Sequence, residues 1–322
     1  QGAVFGPGDK MAVIDDQGTV SIWDLSDIRS PRPLGSPQIV HEGIVFDAIF
    51  SPNGACVGSV GFSDHSADIL TDPDAEPVNL LGHKEKVVAL AFLTPSPGLD
   101  SSLVPCGTDM VATISADGMT LIWNIGPAYE YQALVAHSKP VTQIAFSPDH
   151  KGERYLVTGS EDGTAQIWSV ESFRRLGSTN PGQGIEDVDF SPDGEMFVTA
   201  GMDGTAKLWQ TSSLTLRLPP IKGQQGPIYT AAFRPPAGEQ IATGGSDGSA
   251  QLWNSRTGEP IVEDYWHLST AVNSIDFNND GTRMIVGSAD GVSHIVNLVS
   301  REVITLPIAV SDVVYDAVLG SD

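Results

Sequence analysis

Along the chain, runs of five or six residues rich in Val, Ile, Leu, Thr and Phe alternate with clusters of Ser, Pro, Asn, Asp and Gly. Residues 141–168 show the pattern in full: Val141 to Phe146, the turn Ser147-Pro148-Asp149, Tyr155 to Ser160, the turn Glu161-Asp162-Gly163, then Thr164 to Trp168. Short β-branched and aromatic runs separated by turn chemistry predict strands joined in hairpins. We label the three runs a, b and c; a fourth, d, follows the Trp (Arg174 to Gly177).

The pattern recurs. Asp117-Gly118 precedes Trp123, Asp162-Gly163 precedes Trp168, Asp203-Gly204 precedes Trp209 and Asp247-Gly248 precedes Trp253, with the Trp always five residues after the Gly. Strand a ends at Phe5, Phe50, Phe92, Phe146, Phe190, Phe233 and Phe277, which makes seven units. Trp23 fills the first Trp slot, while Leu70 and Val296 fill the degenerate ones. In the second unit His65 stands where the turn Gly is expected, after Asp64; in the first, Gln17-Gly18 replaces Asp-Gly. A period of roughly 40–45 residues marks a repeat architecture.

One four-stranded sheet cannot cover both of its faces. Radial stacking covers each face with a neighbour and leaves only short edges. Within each strand, alternation sends Val, Ile, Leu and the Trp into the layers between sheets. The amphipathic helices that a βαβ chain requires are missing from the pattern. The expected fold is therefore all-β: a seven-bladed β-propeller of four-stranded antiparallel sheets, one domain over 1–322. Its units run approximately 1–40, 41–82, 83–136, 137–180, 181–222, 223–266 and 267–310, with 311–322 as a closing strand. Val314 to Asp322 aligns on Val272 to Asp280. Val313 to Leu319 is thus expected to pair with strand b of the first unit near Lys10 to Asp15, although Gly2 to Phe5 competes for that place. A ring of eight blades completed by further sequence is the rival.

At this point the residues resemble a family. Trp23-Asp24 is a literal Trp-Asp, with Trp123-Asn124, Trp168-Ser169, Trp209-Gln210 and Trp253-Asn254 as relaxed forms. Gly82-His83, Ala136-His137 and Val40-His41 each place a His nine residues before a strand-a Phe. Together these resemble the WD-repeat, G-beta-like β-propellers over essentially the whole chain. The resemblance implies hydrogen-bonded tetrads of His, a strand-b Ser or Thr, the turn Asp and the Trp. Carried over, His83, Asp117 and Trp123 form one structural set with Thr113 or Ser115. His137, Asp162 and Trp168 form another with Thr158 or Ser160. Pro181 and Gln224 stand in the His slots of units five and six, so those networks are expected to be incomplete, and His267 misses its slot by one residue. The linkers, such as Arg29 to Gln38, are similar to those of bacterial multidomain signalling proteins, and the chain begins inside a repeat. Both point to a domain of a longer multidomain chain.

Charge narrows the partners. Lys+Arg 17 against Asp+Glu 40 gives a net charge of -23. Such a surface disfavours nucleic acid and anionic membranes, which need a cationic face, and favours a basic partner. No apolar run reaches the 18 or so residues of a membrane span. Two cysteines, Cys56 and Cys106, are too few for a disulfide framework. Free thiols in a reducing, cytoplasmic setting are expected.

Chemistry-bearing motifs are weak. Gly244-Gly245-Ser246-Asp247-Gly248 satisfies G-x-S-x-G but sits in a strand-to-hairpin context, not the strand-to-helix elbow that acyl transfer needs. Asp64, His65, Asp68, Asp72, Asp74 and Glu76 form an acidic segment without calcium-loop spacing. No catalytic, cofactor or metal residues are assigned. The insertion Thr94 to Met110 is a surface loop and a candidate partner contact.

The expected function is a non-enzymatic scaffold or sensor domain binding a protein or peptide on a propeller face. Relatives with this architecture use the d–a loops and b–c turns, which here are Glu42, Glu85, Lys139, Gln183 and Gln225, together with Ala116, Glu161, Met202, Ser246 and Ala289 before the turn Asp. The alternatives are an enzyme with a metal or cofactor in the central channel, and a structural or oligomerisation unit of a larger protein.

Overall fold

Each Asp-Gly turn closes a hairpin, and the hairpins build seven antiparallel sheets. The computed structural model describes residues 2–7, 9–27, 30–93, 106–108, 110–125, 130–149, 152–180 and 182–306. Among them there is no helix, and the sheets are the blades of an all-β propeller. The described residues divide into two compact units at Thr142/Gln143.

The first unit holds three blades. They are β1 (Gly2–Gly6), β2 (Lys10–Ile14), β3 (Thr19–Asp24) and β4 (Arg32–Ile39); β5 (Val45–Phe50), β6 (Val57–Gly61), β7 (Ser66–Leu70) and β8 (Val78–Leu81); and β9 (Val87–Phe92), β10 (Met110–Ser115), β11 (Met119–Asn124) and β12 (Glu130–Val135). The other four begin with β13 (Val141–Phe146), β14 (Tyr155–Ser160), β15 (Ala165–Ser169) and β16 (Arg175–Thr179). The fifth has β17 (Ile185–Phe190), β18 (Met196–Gly201) and β19 (Ala206–Gln210). The sixth has β20 (Ile228–Phe233), β21 (Gln240–Gly245), β22 (Ser249–Asn254) and β23 (Pro260–His267). The seventh has β24 (Val272–Phe277), β25 (Arg283–Ser288), β26 (Ser293–Asn297) and β27 (Val303–Leu306).

One register serves all seven b–c hairpins. Trp123 pairs with Val111, Trp168 with Leu156, Trp209 with Phe197, Trp253 with Ile241 and Trp23 with Met11. Leu70 pairs with Val57 and Val296 with Met284 in the same place. The turn after strand b needs a left-handed residue, and Gly118 (φ 78), Gly163 (φ 82) and Gly248 (φ 80) supply it; His65 adopts it without being glycine, at φ 57. A Cβ on Gly18 would lie 1.9 Å from the His41 carbonyl oxygen, so that position also excludes larger residues on contact grounds.

The cores lie between blades. Ile69 and Leu80 of the second blade pack with Leu90, Val111 and Trp123 of the third. Val157 and Ile167 of the fourth meet Ile185, Val188 and Phe197 of the fifth. Val198 and Leu208 meet Ile228, Ile241 and Trp253 in the next layer. At about 25 cal/mol per Å² of apolar area removed from water, each layer stabilises both of its blades at once, which is why the repeat needs neighbours.

Three expectations need correction. The fifth blade has three regular strands; its fourth is reduced to the isolated bridges Ala206–Ile221 and Trp209–Leu216. Pro219 and Pro220 fall between these bridges and bring no N–H to a ladder. Second, both edges of β2 are occupied, by β1 and β3, with Gly2 opposite Ile14 and Lys10 opposite Asp24. Strand b of the first unit therefore has no edge free for Val313 to Leu319, and that segment lies outside the described residues. Third, the cysteines are not free. Cys56 and Cys106 are joined in a disulfide across 50 residues of chain. It ties the turn before β6 to the connection before β10, inside the apolar layer between the second and third blades. The inference of a reducing compartment rested on free thiols and loses its basis, because such bonds persist where the surroundings are oxidising. The insertion itself, Thr94 to Met110, lies mostly outside the described residues.

Candidate functional site

Buried polar side chains come first, because each must find a partner. In the third blade, His83 Nδ1 lies 3.3 Å from Asp117 Oδ2, and His83 Nε2 lies 2.8 Å from Thr113 Oγ1. Trp123 Nε1 donates to the same hydroxyl at 2.8 Å. Burial lowers the His83 pKa, opposed by Asp117, so the ring is neutral at pH 7. Asp117 is held below the usual carboxylate range: burial raises it, but the backbone N–H groups of Lys84 and Met119 and the His83 ring outweigh that. The ionised carboxylate only accepts, so Nδ1 carries the proton and Nε2 accepts from Thr113. The structure thus brings His83, Asp117 and Trp123 together through Thr113. Ser115 instead donates to the Glu85 carbonyl.

The other blades vary this arrangement. Trp168 donates to Thr158 at 3.3 Å, and Asp162 Oδ1 accepts from the Thr164 backbone at 2.9 Å. His137 sits half-buried beyond Val135. In the second blade His41 reaches Asp64 at 2.9 Å and Ser59 at 3.1 Å, and the Trp slot holds Leu70. Asp68 lies 3.3 Å from the His41 ring, and burial, with Asp64 nearby, pushes its carboxyl up to about 7. The acidic segment is thereby spent locally: Asp72 and Asp74 accept backbone N–H groups of Asp74 and Ser36. Among the described residues no three His, Cys, Asp or Glu side chains converge to hold a metal ion.

Where the His is replaced, another residue takes the space. Gln224 donates to the Ser249 carbonyl at 2.7 Å and hydroxyl at 2.9 Å, and Ser249 donates to Asp247 at 2.6 Å. Trp253 still donates to Thr243, at 2.8 Å. In the fifth blade the ammonium of Lys207 is buried against Asp203 at 2.5 Å and Thr205 at 2.6 Å, while Trp209 donates to Thr199 at 3.0 Å. Lys207 lies outside the Trp-Asp pattern; its signal in the sequence is a lysine two residues before the Trp, in a unit that lacks the His.

The inner strands are stitched by carboxylates. Asp187 accepts from the Ala231 backbone at 2.9 Å and Asp189 from Phe233 at 2.8 Å. Asp189 is half-buried, and its desolvation, reinforced by Asp187 and Asp276, pushes its carboxyl up to about 7 despite its hydrogen bond from Phe233. The folded state then holds a proton that the unfolded chain has lost, from the ordinary Asp pKa of about 4 up to about 7. The associated stability is complete below that window and declines as pH rises through it, by at most about 1.4 kcal/mol per unit. Asp189→Asn keeps an acceptor for Phe233 and cannot ionise. Urea unfolding from pH 4 to pH 8 should show the wild type losing ground to Asp189→Asn as pH rises. Parallel pH curves would refute this.

The exposed loop ends carry the remaining sequence-predicted residues. Glu42, Glu85 and Lys139 are exposed in the first unit, and Ala116 is half-buried; Glu161, Gln183, Met202 and Gln225 are exposed in the second, with Ser246 and Ala289 half-buried. Residues before the turn Asp share one backbone contact. Ala116 N–H donates to Lys86 O at 3.0 Å, Met202 to Gly184, Ser246 to Pro227 and Ala289 to Ala271, each at 2.9 Å. Strand a begins beside them with a bulge, so that Phe46, Glu186, Tyr229 and Asn273 are the extra residues. A Cβ added at Gly184 would lie 3.4 Å from Glu161 and 3.7 Å from Met202, and burial together with Glu161 raises the Glu186 pKa. Two carboxyl groups, Glu161 and Glu186, thus lie near one another at this end of the second unit. Ser246 sits in a hairpin turn between β21 and β22, which is not the geometry of a hydrolase nucleophile. A side cleft of about 490 Å³, lined by Pro219, Pro220, Gly223, Trp253 and Pro260, opens where the fifth blade lacks its fourth strand.

With this geometry in view, the family model described as "WD domain, G-beta repeat" matches residues 129–169, 174–210, 217–254 and 258–296. The chain belongs to the WD-repeat family. It is 26% identical over 208 residues to DmX-like protein 1 of Mus musculus, covering 59% of this chain and 6% of that protein. Nuclear distribution protein PAC1 of Arthroderma benhamiae is 29% identical over 164 residues, 50% of this chain and 33% of its own length. Ribosome biogenesis protein YTM1 of Chaetomium thermophilum is 28% identical over 146 residues, 45% of this chain and 28% of its own. This WD-repeat chain therefore spans a third or less of those relatives. Its likeness to them fits a protein-interaction scaffold.

Proposed function

We propose that this WD-repeat chain is a non-enzymatic interaction module that takes a basic protein or peptide on the loop ends of its blades, which carry Glu42 and Glu85 in the first unit and Glu161, Gln183, Met202 and Gln225 in the second. The observation that carries this reading is a division of labour. The His83, Asp117 and Thr113 side chains, and their counterparts His41, Asp64 and Ser59, are engaged in hydrogen bonds inside the blades, whereas the residues named above are exposed on the d–a loops and b–c turns of each unit. Glu161 lies close enough there to raise the Glu186 pKa, and the whole chain carries a net charge of -23. Electrostatic steering then selects positively charged partners and disfavours nucleic acid. Names such as nuclear distribution protein and ribosome biogenesis protein belong to relatives that are much longer, so activity in a larger multidomain protein is part of the proposal.

A peptide array probed in low salt tests the reading. Binders should be rich in Arg and Lys, and their affinity should fall roughly ten-fold as ionic strength shortens the Debye length from about 30 Å to about 8 Å. Glu42→Gln/Glu85→Gln/Glu161→Gln should weaken them by a similar factor. An array without binders, or binders indifferent to salt and to the triple variant, would refute it.

A further inference from the structure

The second blade breaks the rim pattern with aromatic residues. Phe62 N–H donates to Ile44 O at 3.0 Å, which is the contact made by Ala116, Met202, Ser246 and Ala289 in their own blades. Phe62 therefore occupies the same rim position, displaced by one residue in the sequence because Ser63 lengthens the turn before Asp64. Beside it, Phe46 is the bulged residue at the start of β5, between the pairs Val45–Gly61 and Asp47–Val60. A bulge re-aims a side chain away from its regular face. The two rings stand 6.2 Å apart and tilted by 40°. Phe62 is 47% exposed and Ile44 49%.

A cation already sits on this pair. Lys86, from the loop entering the neighbouring blade, places Nζ 4.3 Å from the Phe46 centroid and 4.8 Å from that of Phe62. Both distances fall within the roughly 6 Å reach of a cation–π contact. We propose that Phe46 and Phe62 form a cation-receiving subsite of the partner-binding face, held in the free chain by Lys86 and entered by an arginine side chain of the partner. This rests on the interaction reading above and names the chemistry that reading leaves open.

The exchange has a physical direction. Phenylalanine rings offer no hydrogen bond, so the pair selects by charge and shape alone. A guanidinium is planar and less strongly hydrated than an ammonium, and stacks on an aromatic face with a smaller loss of hydration. The methylene stem of an arginine gains apolar contact from exposed Ile44. Lys86 stands on a flexible four-carbon stem and regains full hydration when it swings out. Glu42 and Glu85, exposed on the two loops that carry Ile44 and Lys86, add attraction for the incoming charge.

The test uses the neutral-ended peptide acetyl-Gly-Arg-Gly-amide as probe, with acetyl-Gly-Gln-Gly-amide as control, titrated into protein carrying ring-labelled Phe and followed by NMR. The arginine probe should shift the Phe46 and Phe62 resonances and the glutamine control should not. Lys86→Ala removes the internal competitor and should tighten the probe about three-fold, whereas Phe62→Leu should weaken it by at least as much. Both substitutions lie at partly exposed positions, and unchanged amide spectra elsewhere show that the fold survives. Equal affinity in the wild type and Lys86→Ala, or in the wild type and Phe62→Leu, would overturn the subsite. Array binders unaffected by either variant would also overturn it while leaving the interaction reading in place. An array without binders removes that reading, and the probe titration still decides the subsite.

Discussion

Thr113→Val is expected to cost about 2–5 kcal/mol, far more than its change in volume implies. Valine has nearly the shape of threonine, so no cavity opens. What disappears is one hydroxyl doing two things: it accepts from Trp123 Nε1 and donates to His83 Nε2, each at 2.8 Å. Both partners are buried and have no water to turn to, and each unsatisfied group costs about 1–3 kcal/mol. The relay then loses its direction, since the neutral His83 ring is oriented by Asp117 on one side and Thr113 on the other. Thr113→Ser is the control. It keeps the hydroxyl, as Ser59 does beside His41, and loses one methyl, at about 1 kcal/mol. Urea unfolding of the two variants checks this. If the Val variant is no less stable than the Ser variant, the hydroxyl is not what holds the hairpin.

The same comparison explains why the relay tolerates variation between blades. The Trp-to-Thr half recurs at Trp168, Trp209 and Trp253. The His half is exchanged for Gln224 in one blade and for Lys207 in another. Each substitute brings an N–H or N⁺–H donor towards the turn, so the requirement is a donor within reach, not an imidazole. That places these side chains on the stability side of the molecule and leaves the loop ends free to differ.

Strand count, hairpin order and the Trp slots were legible in the sequence because burial on both sides of every blade enforces one register, and a register repeated with a fixed offset is visible as spacing. The fourth strand of the fifth blade was not, since Leu216 to Ile221 has apolar residues enough for a strand and only the Pro219-Pro220 pair argues against one. Phe62 was hidden by a one-residue insertion: aligning on Asp64 puts Ser63 in the rim slot, whereas the backbone contact to Ile44 puts Phe62 there. Lys86 over two rings cannot be read from a one-dimensional pattern, because its partners come from another blade. The pairing of the two cysteines was hidden for the same reason. With 50 residues between them, nothing local says that the turn before β6 lies against the connection into β10.

That bridge sets the second large expectation: replacing both Cys56 and Cys106 by Ala should lower the melting temperature by roughly 5–10 °C. In the chain-entropy account, closing a loop of this length removes about 4 kcal/mol of freedom from the unfolded chain. The bond is also well placed in the folded state. Both cysteines are buried, in the layer that packs Ile69 and Leu80 against Leu90 and Trp123, so the staple reinforces a joint between blades and not a surface loop. Burial has a kinetic consequence as well. A thiol reductant must reach a sulfur to attack it, so reduction of the native protein should be slow and should accelerate in urea below the unfolding midpoint. Two outcomes would defeat this account: two free thiols titrated in protein denatured without reductant, or a melting temperature that the double variant leaves unchanged. The bridge also ties function to setting, because a joint that depends on it keeps its full stability only where the surroundings leave disulfides oxidised.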